Sequence, residues 1–203
     1  HLREDRRHII DRDVEILRKI IKTKLNLEMS VDGEITSVAL KIKPDSATLV
    51  PEKRSEITTE GGLNVVKEFA RIKACVVKLR KEKILVSLFI DPERKQIDYA
   101  KKTGCEMIEL HTGKYANAKN ENDKGNEFLK LKNSLDYARK MSLIVNMGHG
   151  LNYKNVEPFL KLKGINEFNI GHAIISRAVF TGLEKAVNEM KNILSGKSAD
   201  ERI

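Results

Sequence analysis

Apolar residues along this chain follow two rhythms that take turns. Val14, Leu17, Ile20 and Ile21 recur at helical spacing and predict a helix over 11–23. Leu25, Leu27 and Met29 then alternate with Asn26, Glu28 and Ser30, the pattern of a strand with one apolar face, over 25–30. The exchange continues to the C-terminus. Further helices are predicted over 33–42, 64–81, 92–103, a stretch ending near 140, 155–162 and 174–194. Further strands are predicted over 47–50, 84–90, 107–111, 143–146 and 167–170, with a polar insertion at 114–124. The last helix is expected to carry Ile175, Val179, Leu183, Val187, Met190 and Leu194 on one side.

Strands alternating with helices through short loops imply βα units and a parallel sheet. A barrel of eight units takes roughly 31 residues per unit, so 203 residues hold about six and a half. The count alone fits either an open six-stranded sheet or a barrel missing its first two strands. The strand sequences favour the barrel. Val86, Leu88 and Ile90 oppose Ser87, Phe89 and Asp91; Ile108 and Leu110 oppose Glu109 and His111; Phe168 and Ile170 oppose Glu167 and Asn169. Helices on one face would leave the polar groups in a lumen, whereas helices on both faces would bury them at high cost. The expectation is therefore an α/β fold of TIM-type (β/α)8 class, with one domain over 1–195 and a polar tail over 196–203.

Composition narrows the function. The chain is 40% hydrophobic, which argues against disorder, and no apolar run is long enough to span a bilayer. Two cysteines, Cys75 and Cys105, make no disulfide framework, so a reducing, cytoplasmic setting is expected. Lys and Arg number 38 against 29 Asp and Glu, a net charge of +9. That surplus admits a basic nucleic-acid-binding protein, but the cations are interleaved with acids and no RRM, KH, zinc-finger or basic-helix pattern occurs. A solvated, lysine-rich surface is the plainer reading, and small anionic substrates would feel the same field. Metal-ligand spacings, dinucleotide fingerprints and P-loops are absent from the sequence.

All five histidines (His1, His8, His111, His149 and His172) fall near predicted strand ends, and barrel enzymes hold their active sites where the strands end. Two glycine turns, Gly148-His149-Gly150 and Gly171-His172, follow the last two strands. On a barrel count these are the loops after strands seven and eight, a frequent phosphate site. The opening eight residues hold three Arg and two His, and Arg suits bidentate phosphate contacts. Segment 51–62 is long for a βα loop and is expected to be a lid. Glu28, on the polar face near its strand end, is a candidate base. These residues point to acid/base chemistry on phosphorylated substrates.

The motifs His1-Leu-Arg-Glu-Asp-Arg-Arg-His8, Leu25-Asn-Leu-Glu-Met29, Leu49-Val-Pro-Glu-Lys-Arg54 with Thr58-Thr-Glu-Gly-Gly62, Ile108-Glu-Leu-His-Thr-Gly113, Gly148-His-Gly-Leu-Asn152 and Asn169-Ile-Gly-His172 together resemble the pyridoxine 5′-phosphate synthase family. The resemblance runs in order along almost the whole chain. It implies a (β/α)8 barrel in a homo-octamer, a transferase that condenses 1-deoxy-D-xylulose 5-phosphate with 3-amino-2-oxopropyl phosphate. The products are pyridoxine 5′-phosphate, phosphate and water, and the family needs no metal or organic cofactor, no nucleic acid and no membrane. By motif, His1 and Glu28 resemble its proton acceptors and His149 its proton donor. Arg3, His8 and Thr58 resemble contacts to the deoxyxylulose phosphate, and Gly150, Gly171 and His172 contacts to the aminoketone phosphate. The family's first strand, with its Asn-x-Asp-His motif and a following substrate-binding Arg, has no counterpart here, and most of its second strand is also missing by this resemblance. The enzymatic alternative is another lyase or epimerase acting on sugar phosphates. Because the chain opens at His1 and not at Met, its start is expected upstream, with two further strands. His1 is then expected at the mouth beside Glu28 and His149, with strands 25–30 and 167–170 left unpaired to each other.

Overall fold

The computed structural model describes residues 1–52 and 61–196. Most of the expected lid, including Thr58, and nearly all of the expected tail lie outside the described residues.

Six strands form one sheet: β1 (Asn26–Met29), β2 (Ser46–Leu49), β3 (Leu85–Ile90), β4 (Met107–His111), β5 (Ile144–Gly148) and β6 (Ile165–Asn169). They are all parallel and stand in sequence order. Parallel neighbours need long crossovers. Those are supplied by α2 (Gly33–Ile42), α3 (Phe69–Lys81), α4 (Arg94–Thr103), and the pair α5 (Gly113–Ala116) and α6 (Glu121–Lys140), with a short 3-10 turn at Glu157–Lys161 before β6. Helix α1 (Asp11–Ile20) precedes the sheet, and α7 (His172–Thr181) and α8 (Leu183–Leu194) close the chain.

One strand parity faces the helices. Val86, Leu88, Ile90, Ile108, Leu110, Val145 and Met147 are fully buried and share one core with Ile35 and Ala39 of α2, Ile72, Val76 and Leu79 of α3, Ile97 of α4, and Leu131 and Leu135 of α6. Each such aliphatic side chain contributes about 1.5–3 kcal/mol by leaving water. The opposite parity is polar and bonds to itself across the strands. Ser46 and Thr48 both donate to the Asn26 amide oxygen at 3.0 Å, and Asn166 donates to Asn146 at 3.0 Å. The chain thus has the one-sided helix cover and polar inner face of a barrel wall, as the alternation predicts.

The sheet is not closed. Strands β1 and β6 are not paired to each other, and beyond β1 runs the opening segment, where Leu2 forms a parallel bridge with Met29 and donates to the Glu28 carbonyl at 3.1 Å.

Several elements depart from expectation. The helix predicted over 174–194 is two helices, because Gly182 (φ 80°) takes a backbone conformation that side-chain-bearing residues rarely adopt. The expected apolar stripe is accordingly buried only in part: Val179 is 80% and Ile175 60% exposed, while Met190 of the stripe is buried together with Ala186 and Ile193 on the inner face of α8. Helix α3 starts at Phe69, after turns over 65–68, and the polar insertion contains the one-turn helix α5. The last strand starts at Ile165, and its register slips by one residue between Val145 and Met147. That irregularity lets Asn166 and Asn169, three apart, both reach the inner face.

Gly62 closes the loop before α3 against the end of β3, where Leu63 donates to the Phe89 carbonyl at 2.8 Å. A Cβ at Gly62 would lie 2.6 Å from the Ile90 Cα, against backbone that has nowhere to move, whereas one at Gly61 would meet open space. Gly62→Ala should therefore lower stability by about 1–3 kcal/mol in urea unfolding, and Gly61→Ala by no more than about 0.5 kcal/mol.

Candidate active site

The strand ends bring together one turn and several titratable side chains. His149 lies in the turn that ends β5, with φ 80°, followed by Gly150 at φ 77°. A non-glycine residue in such a conformation costs about 1–3 kcal/mol and persists only where its surroundings hold it. The holding group is Thr112, at the end of β4. Its backbone N–H donates to the Gly148 carbonyl at 2.9 Å, and its hydroxyl lies 2.7 and 2.5 Å from the Gly148 and His149 carbonyl oxygens. Gly148 itself leaves room for a side chain, since a Cβ there would overlap the Glu109 carboxylate and approach Asn169 Cβ at 3.0 Å.

That carboxylate is strongly perturbed. Glu109, on β4, is buried, and its carboxyl is pushed up to about 8 by loss of water and secondarily by the nearby negative charge of Glu28. Asn169 donates to its Oε2 at 2.5 Å, the one interaction that favours the charged form. Glu28, on β1, is also raised, first by desolvation, with His149 pulling the other way. Its side chain keeps 41% of its surface open, so it is reachable from the mouth. His149 is lowered by desolvation and by the neighbouring His111, and Glu28 opposes this. A raised carboxyl at Glu28, acting on an imidazole at His149 that releases its proton easily, is a pair fitted to acid/base work.

His1 lies at this mouth, its Nδ1 3.7 Å from Glu28 and its Nε2 3.6 Å from Glu52. Of the expected site residues, the structure thus brings His1, Glu28 and His149 to one place. Arg3 is buried and engaged internally, 3.2 Å from Asp5 and 3.7 Å from Glu52, where its guanidinium fixes the opening segment. His8 is exposed on the loop before α1. Gly150 adjoins His149. Gly171 and His172 start α7, exposed and with open space over Gly171, on the strand next to the His149 turn because Gly148 pairs with Asn169. Thr58 lies outside the described residues.

Two residues were not singled out by the sequence. Glu109 stands in the predicted lumen parity, but its burial and the charge of Glu28, across the lumen with two strands between them, mark it as unusual only in the folded chain. Glu52 follows β2 with a side chain 3% exposed, accepts the Glu4 N–H at 2.9 Å, and is raised by desolvation. Among the described residues no three His, Cys, Asp or Glu side chains gather as a metal site, and no helix is long and apolar enough to cross a membrane.

With this geometry in view, comparison with known proteins is specific. The family model of the pyridoxal phosphate biosynthesis protein PdxJ matches residues 1–196. A pyridoxine 5′-phosphate synthase of Gloeothece citriformis is 54% identical over 97% of the chain and 82% of its own length. Those of Aliivibrio fischeri and of Geobacter sp. strain M21 are 53% and 51% identical, each over 81% of its own length. Among solved structures, the tryptophan synthase A-subunit of Pyrococcus furiosus superposes with a TM-score of 0.59 over 92% of this chain and 72% of its own, at 15% identity. That likeness speaks to the fold, and it places the curled sheet in the TIM-barrel class.

The Glu109 carboxyl gives a stability signature. Its proton is bound more tightly in the folded state, so its contribution is complete below the ordinary carboxylate range and is lost as the pH rises towards about 8. Glu109→Gln cannot ionise and escapes that loss. Its thermal midpoint should match the parent near pH 4.5 and exceed it increasingly up to pH 8, with a stability gap growing by at most about 1.4 kcal/mol per pH unit.

Proposed function

The chain belongs to the PdxJ family of pyridoxal phosphate biosynthesis proteins, and from that membership we propose that its site performs the pyridoxine 5′-phosphate synthase reaction. Two phosphorylated substrates, 1-deoxy-D-xylulose 5-phosphate and 3-amino-2-oxopropyl phosphate, are joined and closed into the pyridine ring, with loss of phosphate and water. The observation that carries the reading is the meeting of His1, Glu28 and His149 at the ends of parallel strands in a chain matched from residue 1 to 196.

Imine formation, loss of water and elimination of phosphate each move protons, which requires groups that accept and donate near neutral pH. Glu28 is open to the mouth and is the base that takes a proton from carbon or nitrogen. His1, between two carboxylates, is the second acceptor. His149 is a readily deprotonated imidazole and supplies the proton to a departing oxygen. Glu109 retains its proton in this range and offers a neutral O–H beneath them. The backbone at Gly150, Gly171 and His172 suits the aminoketone phosphate, because N–H groups at a helix start favour an anion. Arg3, His8 and Thr58 are assigned to the deoxyxylulose phosphate, Arg3 through the ordered opening segment. Assembly as a homo-octamer and a cytoplasmic setting belong to the same reading.

Two other readings have less support. A lyase or epimerase would act on one sugar phosphate alone. A nucleic-acid partner would want unpaired cations, yet Lys41, Lys43, Arg80 and Arg177 are paired with Glu15, Glu82, Glu106 and Glu189.

Product should form only when both substrates are present, followed by phosphate release and the absorbance of the pyridine ring. Consumption of either sugar phosphate alone would favour the lyase. Glu28→Gln should leave thermal stability close to the parent and lower kcat by at least about 100-fold, because an amide cannot accept the proton. His149→Ala should lower kcat to a similar extent with little change in substrate affinity. Loss of phosphate binding with chemistry intact would reverse the role given to His149.

A further inference from the structure

An aspartate and a histidine with no part in the proton transfers lie directly behind His149. His111, the last residue of β4, is buried, and its Nδ1 stands 3.0 Å from the Asp91 carboxylate, which follows β3. Its other ring nitrogen, Nε2, is buried without a hydrogen-bond partner. The ring meets that of His149 edge-on, with centroids 5.0 Å apart and planes at 66°. Phe89 flanks both rings, at 5.0 Å from His111 and 6.3 Å from His149. Gly113 makes this arrangement possible: a Cβ there would overlap the His111 Nε2 and lie 3.2 Å from the His149 Cδ2.

Packing alone does not account for an imidazole here. An apolar ring would fill the space between Phe89 and His149, whereas His111 leaves a buried nitrogen unsatisfied, which is ordinarily unfavourable. We propose that Asp91 and His111 are positioning residues for His149: the carboxylate orients the His111 ring, and that ring sets the orientation and proton release of the His149 imidazole. This rests on the reading of His149 as the proton donor.

The Asp91 carboxylate accepts from the His111 Nδ1 and so turns Nε2 towards Gly113 and His149. Held by Asp91 on one side, the His111 imidazole presses on His149 from the other. Like charge at this separation disfavours a second protonated imidazole, so His149 gives up its proton more easily. The charged groups facing the two rings are Asp91 after β3, Glu28 on β1 and Lys114 on α5, with Glu109 two residues back on β4. Asp91 is itself held low, chiefly by its bond to His111 and, more weakly, by Lys114. Glu28 acts on His149 in the opposite sense to His111. The His149 proton is therefore set between a carboxylate in front and an imidazole behind.

The test is a titration of the full protein labelled at histidine with 15N, read by NMR, in the parent and in His111→Asn. The Asn amide retains a donor towards Asp91 but neither titrates nor reaches His149 as a ring. The expected result is a rise of the His149 midpoint by about 0.5 pH unit or more, with an equal shift of the corresponding limb of the kcat profile and little change in KM. Asp91→Asn keeps the shape of the pair and removes the carboxylate that orients the His111 ring. It should move the His149 midpoint in the same direction, and it serves if His111→Asn fails to fold. A His149 midpoint unchanged within about 0.1 pH unit, or lowered, in a folded variant would overturn the proposal. The titration needs no turnover, so an inactive parent would overturn the reaction reading and leave this test standing.

Discussion

A polar face on the inside of a parallel sheet has to satisfy its own hydrogen bonds or surrender its charge, and the architecture follows from that requirement. Several of the inner-face groups take the first course, while the Ser87 hydroxyl and the His111 Nε2 stay buried without a partner. Asn26 receives Ser46 and Thr48, and Asn146 receives Asn166, so the wall is tied across neighbouring strands as well as along its ladders. Glu109 takes the second, with only Asn169 to support its charge and Glu28 to oppose it. The apolar core beneath the helices supplies the stability that makes this tolerable. The lumen is thus chemically active because its carboxyls are incompletely compensated, in a framework held rigid from the other side.

The same division explains how the mouth is built. Positions at the ends of β3, β4 and β5 do different work although they are neighbours. Thr112 fixes the main chain of the His149 turn, His111 contacts its ring, and Gly148 and Gly113 are bare so that Glu109 and His111 have room. The glycines that read in the sequence as backbone open to a phosphate therefore serve two purposes. Gly171 remains open, whereas Gly148, Gly113 and Gly150 give room to the side chains of Glu109, His111 and Ala116.

Much of the fold was legible in the sequence because each strand carries its own burial pattern. Leu27 and Met29 against Asn26 and Glu28, or Ile108 and Leu110 against Glu109 and His111, state locally which side faces the helices. The break at Gly182 was not legible, since the residues around it continue a helical spacing and only the backbone turn shows that the spacing has no partner face. The slip in β6 escaped for a related reason: alternation was read within 167–170, while the register is decided by β5. Among site residues, His1, Glu28 and His149 could be found through motif and strand position. The involvement of Glu52 and Glu109 depends on which carboxyl ends beside which, and contacts between strands far apart in sequence leave no trace in spacing.

The paired carboxyls have a consequence for any ligand that enters. With both Glu28 and Glu109 raised, the empty lumen retains protons that the same groups would have lost in solution. A molecule bringing an ammonium group stabilises the ionised carboxylates, so its arrival expels protons into the medium. Binding and protonation are then one coupled equilibrium. The measured heat of association has to include the ionisation enthalpy of whatever buffer takes up those protons, and the affinity for such a molecule strengthens with rising pH as long as a carboxyl still has a proton to release.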